Sequence, residues 1–146
     1  MKIIESYNKI SESISRLKSM ILLMLRLVLA YGFYETARMK WGNISGVADW
    51  FQSMNYPFPV ANAYLAASTE ALGVVLLFLG LGTRLISLPL MFVMVIAILT
   101  VHISHGFEAG RNGFEIPLYY LLMLFTLLVY GSGKISIDHL IKRRVK

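Results

Sequence analysis

Four long apolar stretches, at residues 20–37, 60–81, 85–103 and 116–130, constrain this chain more than any motif in it. A helix needs about 20 apolar residues to cross a bilayer core of roughly 30 Å, and each stretch comes near that length, the fourth being the shortest. Apolar material gathered into runs, instead of spaced along amphipathic faces, describes a chain dissolved in lipid. Composition agrees, with 57% hydrophobic and 15% charged residues and a mean hydropathy of +0.65. The fold class that follows is all-α: an integral membrane four-helix bundle in one domain of 146 residues.

Punctuation supports the boundaries. Pro117 sits just inside the start of the fourth span, Gly131 and Gly133 suit its end, and GLGTR at Gly80 to Arg84 is a tight turn that makes spans two and three a hairpin. Residues 1–19 read as a cytoplasmic amphipathic segment, because Ile3, Tyr7, Ile10, Ile14 and Leu17 recur at helical spacing among basic residues; a soluble frayed tail fits as well. Residues 20–133 form the transmembrane domain and 134–146 a basic cytoplasmic tail. Between spans one and two, Ile44, Val47, Trp50 or Phe51 and Met54 recur at helical spacing, which predicts a short interfacial helix.

The formal charge of +6 does not imply nucleic acid. An even number of spans places Lys2, Lys9, Arg16, Lys18, Arg84, Lys134, Lys142, Arg143, Arg144 and Lys146 on one side, against Arg38, Lys40 and Arg111 on the other. The positive-inside rule then makes both termini cytoplasmic. The first run starts too far from the N-terminus, and without a small-residue cleavage site, for a signal peptide. Absence of cysteine excludes a disulfide, a thiolate metal site and a thiol relay, so redox chemistry here requires a cofactor or a partner.

Charges inside the spans are the candidate functional residues. A charge at the bilayer centre is unfavourable by about 2.5–3.5 kcal/mol on the insertion scale. Counted from Arg38 and from Pro59 at 1.5 Å per residue, Arg26 and Glu70 both lie at a depth of roughly 17 Å, so a buried Arg26–Glu70 ion pair is expected. Ala63, Ala66, Ala67 and Gly73 share Glu70's side of the helical wheel and allow a second backbone close to it. Glu35 faces the other way, toward Arg38, Lys40 or His102.

The connection VHISHGFEAGRNGFEI contains His102, His105, Glu108 and Glu115. Three readings fit: solvated interface residues; a polar cluster of Glu35, His102 and Glu115 at the outer mouth, suited to a quinone headgroup or a proton relay; and a metal site of His102, His105 and Glu108. If the third helix continued, His102 and His105 would lie about 60° apart and both could point inward. The aromatic residues crowded at this level, among them Trp41, Trp50, Tyr64, Phe107 and Tyr119, form either an interfacial belt or the lid of an apolar pocket.

From about Leu22 to Ile141 the sequence resembles the DoxX family of small four-span bacterial membrane proteins. The segments that carry the resemblance are LRLVLAYGFYETARMKW, AYLAASTEALGVVLLFLGLGTRL, and HGFE followed by NGFEIPLYYLLMLFTLLVYGSGKISID. Arg26, Glu70 and Glu115 fall where the family carries such residues, and YGSGKISID is similar to its Gly-x-Gly-basic-aliphatic-Ser-aliphatic-Asp close. AYLAASTE looks closest to a branch found beside copper-binding, ribosomally made peptide systems. The resemblance implies an accessory protein of a membrane redox or detoxification system, with a quinone-like, sulfur or copper ligand near the outer face. A non-catalytic membrane anchor or assembly subunit is the alternative. Both readings imply the lipid bilayer and a protein partner as neighbours.

Overall fold

The computed structural model describes residues 17–144; the amphipathic segment expected in residues 1–19 lies almost wholly outside them. Helix α1 (Lys18–Gly42) is joined by Asn43 to the short α2 (Ile44–Ser53), and α3 (Pro59–Leu79) and α4 (Thr83–Ala97) form the expected hairpin. Helix α5 (Glu115–Tyr130) and a terminal α6 (Ile137–Arg144) complete the order. Among the described residues there is no strand. Helix α1 packs on α3, α3 on α4, α4 on α5, and α5 returns to α1, which closes a four-helix bundle. Its interior is built from Leu22, Leu29, Phe33, Leu77, Leu90, Leu124 and Leu127.

The outside of the bundle is as apolar as its centre. Leu65, Phe78, Leu85 and Phe92 are each more than 60% exposed on helix flanks, a surface that only hydrocarbon solvates well. Helices α1, α3 and the α4 region through His105 are long and apolar enough to cross a membrane. Helix α5 has 16 residues, about 24 Å of rise, and is shorter than the others as expected.

Local chemistry sets the ends. Asn43 Oδ1 accepts from Gly46 N at 3.1 Å and caps α2, which lies against α3 through Ala48, Phe51 and Ala63. Pro59 opens α3 after Phe58, which has φ +51°. At Gly73 the α3 backbone comes so near α4 that a Cβ would meet Leu90 Cδ1 at 2.8 Å. Residues 43–58 and 106–114 lie at one end of the bundle, called the loop end. The α3–α4 turn and the segment before α6 lie at the other, the hairpin end.

Two boundaries depart from expectation in ways that matter below. Helix α1 does not stop at Ala37 but runs on to Gly42, carrying Arg38 and Lys40 as helical residues. Helix α4 contains Pro89 and gives way at Ile98 to a π-helical turn (Ile98–His102) and then a 3-10 turn (Ile103–His105) that ends at Gly106, φ +78°.

Candidate functional site

Arg26 and Glu70 are each 1% exposed, and they do not meet. Among the described residues Glu70 is held by Lys40 alone: both carboxylate oxygens accept from Lys40 Nζ, at 2.6 and 2.7 Å. Arg26 donates from Nη1 to the Leu77 carbonyl at 3.2 Å and from Nη2 to the Ile135 carbonyl. The expected Arg26–Glu70 pair is therefore replaced by two separate arrangements.

Helix geometry explains the correction. Cα–Cβ bonds tilt toward the N-terminus of their own helix. Helices α1 and α3 run in opposite directions, so Arg26 leans toward the hairpin end and Glu70 toward the loop end. Side chains that begin at similar depth thus diverge. The extension of α1 also moves the reference point. Counted from Gly42, Arg26 lies about 24 Å down the helix, level with Leu77, which is about 27 Å from Pro59. Lys40, near the loop-end terminus of the same helix, leans the same way as Arg26 and so inward toward Glu70, and the side chains of Ala37, Ala63 and Ala67, all 5% exposed or less, are small.

Lys40 is the residue that the sequence reading missed, having been placed outside the first span. Its register held a signal: Leu22, Arg26, Leu29, Phe33 and Ala37 mark the buried stripe of α1, and Lys40 is the next position along it. Its side chain is 22% exposed against 1% for Glu70, so among the described residues Lys40 is the partly exposed member of the pair. Trp41, the next residue on α1, meets Tyr64 of α3 edge to face, with ring centroids 5.8 Å apart, and both rings are exposed.

Arg26 belongs to a lock at the hairpin end. Gly80, with φ +66°, lies against its guanidinium, and a Cβ there would collide with Nη1 and with Ser136 Cβ. Asp138, the opposite charge nearest in effect, spends its own oxygens on the start of α4: Oδ1 accepts from Gly82 N at 2.8 Å and Oδ2 from Thr83 N at 3.2 Å. Asp138 N donates back to Gly80 O at 3.1 Å. Ser136 Oγ donates to Gly133 O at 2.7 Å and accepts from Ser132 Oγ and His139 N. The GSGKISID segment thus closes over Arg26 and caps α4. Arg26 Nε and Thr83 Oγ1 are buried without a partner among the described residues.

The loop end keeps its other charges apart. Glu35 pairs with Arg38 at 3.2 Å on the surface. His102 donates from Nδ1 to the Asn112 carbonyl at 2.8 Å, and His105 from Nδ1 to the Val101 carbonyl at 2.9 Å. Glu108 pairs with Arg111 at 3.2 Å. Glu115 accepts from Ala109 N at 3.0 Å and from the Tyr119 hydroxyl at 2.9 Å. No contact joins Glu35, His102 and Glu115, so the expected mouth cluster is not assembled. His102 and His105 do not turn inward together, because the π and 3-10 turns replace the α-helical spacing on which that expectation rested. Among the described residues no three of His, Asp and Glu gather as a metal-binding group.

Comparison with known proteins matches residues 21–103 to the DoxX family. The chain belongs to the DoxX family. A Haemophilus influenzae relative described as an uncharacterized protein is 33% identical over 130 residues, covering 84% of this chain and 83% of its own. A Bacillus subtilis relative named "Putative oxidoreductase CatD" is 30% identical over 118 residues, covering 80% and 83%. No solved structure matches. The DoxX match runs from Ile21 within α1 to Ile103 just past the π-helical turn, and so contains both Arg26 and the Lys40–Glu70 pair.

Proposed function

We propose that this DoxX protein is an accessory component of a membrane redox or detoxification system, and that it receives a quinone-type headgroup at Lys40 and Glu70. The observation that carries the reading is a carboxylate 1% exposed whose one side-chain partner among the described residues is a lysine with a partly exposed side chain. A quinone carbonyl accepts hydrogen bonds, and Lys40 has three donors, so the ammonium can turn one toward a ligand while Glu70 retains the others. Trp41, the residue after Lys40, and Tyr64 offer exposed aromatic surface at the same end of the bundle for a planar ring. The oxidoreductase wording attached to the Bacillus subtilis relative points the same way. Copper is a weaker fit, since His102 and His105 each commit one ring nitrogen to a backbone carbonyl and, among the described residues, belong to no group of three metal-ligating side chains.

Trp41 makes the test direct. With Trp50 replaced by Phe, Trp41 is the sole tryptophan, and titration of purified protein with a short-chain quinone is expected to give saturable quenching. Lys40→Met is expected to abolish it. Linear, unsaturable quenching that Lys40→Met leaves unchanged would contradict the proposal, and saturable quenching by copper alone would replace the ligand.

The alternative, a non-catalytic anchor or assembly subunit, has its own support, because Lys40 neutralises Glu70 internally and Arg26 is enclosed by its own chain. Co-purification of a protein partner that is lost when residues 41–59 are removed, together with absent quinone binding, would favour it. In either case we place the protein in the bacterial cytoplasmic membrane with both termini inside. The chain has no cysteine, so single substitutions report orientation. Ser45→Cys is expected to react with an impermeant reagent in intact cells, and Lys142→Cys only after lysis.

A further inference from the structure

The hairpin end has a polar feature unconnected with Glu70. An open cleft of about 290 Å³ lies where the start of α4, the end of α5 and the side of α6 come together. Its charged lining is Arg84, Asp138, His139 and Lys142, and its apolar lining includes Leu85 and Tyr130. Arg84 Nη2 donates to the Val129 carbonyl at 2.9 Å, which holds the guanidinium beside Gly131 and leaves its other donors free for a ligand. Asp138 faces these cations but does not pair with them, because both of its oxygens are bonded to the Gly82 and Thr83 amides. Among the described residues neither Arg84 nor Lys142 has a carboxylate within ion-pair distance.

The surroundings point to an amphiphile. Leu85 is 76% exposed and Tyr130 55%, so the cleft opens onto the lipid-facing flank of the bundle. Helix α6 carries exposed Leu140 and Ile141 next to Lys142, Arg143 and Arg144, the pattern of a helix lying at headgroup depth. A soluble phosphate would gain nothing from the apolar rim. A lipid uses both parts.

We propose that this cleft binds the phosphate of an anionic phospholipid, with Arg84 and Lys142 holding its oxygens and Leu85 and Tyr130 lying along an acyl chain. The site depends on the helices crossing a bilayer and is independent of any ligand at Lys40. Guanidinium and phosphate form two parallel hydrogen bonds, and the ammonium adds a point charge.

The test uses the full chain in nanodiscs of phosphatidylcholine containing a minority of phosphatidylglycerol. The protein is then released in mild detergent, and the retained lipid is measured by native mass spectrometry. Phosphatidylglycerol is expected to be retained in preference to phosphatidylcholine. With each direct hydrogen-bonded contact to the phosphate contributing about fivefold, Arg84→Ala with Lys142→Ala is expected to weaken retention roughly 30-fold. Arg143→Ala with Arg144→Ala removes the same charge outside the cleft and should change it less than about twofold if the site, and not diffuse charge, is responsible. Among the described residues the Lys142 side chain makes no hydrogen bond, so Lys142→Ala alone should cost about fivefold with an unchanged melting curve. Absence of phosphatidylglycerol enrichment, equal loss in the two double variants, no loss in Lys142→Ala, or displacement of the lipid by inorganic phosphate would each overturn the proposal.

Discussion

Two charges are buried equally deeply in this bundle, but they are solvated by different means. Arg26 is wrapped by backbone: two carbonyls from distant segments accept its hydrogen bonds, and Gly80 and Ser136 close over it. Glu70 depends, among the described residues, on the tip of one side chain that is itself 22% exposed. A charge enclosed by its own chain can only be structural unless that chain opens. A charge held by one mobile partner can exchange that partner for a ligand. The contrast separates a hairpin end built as a lock from a loop end equipped to bind.

The largest effect is expected where the contrast is attacked from the loop end. Lys40→Met strands an unpaired carboxylate in the interior and should lower stability by about 3–5 kcal/mol, read from reversible unfolding in detergent. Adding Glu70→Gln to that variant should restore much of the loss. At the hairpin end, Gly80→Ala must strain a left-handed backbone and displace Arg26, and a loss of about 3 kcal/mol is expected from the same measurement. Asp138→Asn keeps one acceptor for two amides, so the start of α4 should weaken by about 1–2 kcal/mol, visible as faster amide exchange at Gly82 and Thr83. The smallest effect belongs to Glu35→Gln. Its pair with Arg38 is exposed, and a change below about 0.5 kcal/mol is expected. A large effect there would mean that the loop end is organised around the wrong carboxylate.

The bundle was legible because apolar length and glycine or proline punctuation are local signals. Residues 60–81 and 116–130 come within two residues of α3 and α5 at each end. The polar partnerships were less so, and the reasons are particular. Arg38 and Lys40 resemble a span terminus, yet α1 continues through them, and the charge that completes Glu70 was counted as a loop residue. Equal depth was taken as proximity for Arg26 and Glu70, although side chains on antiparallel helices lean apart. The histidines were projected along an α-helix that turns π and then 3-10 before it reaches them. Asp138 stood within the quoted family close, but its task as the cap of α4 depends on a contact 56 residues away that no periodicity encodes.

The pairing of Glu70 with Lys40, and not with Arg26, is the claim on which the division of the molecule rests. A double-mutant cycle measured by unfolding in one detergent decides it, with Lys40→Met and Arg26→Met each combined with Glu70→Gln. A coupling of about 2–3 kcal/mol is expected for residues 40 and 70, and less than about 0.5 kcal/mol for residues 26 and 70. The reverse order would contradict the account.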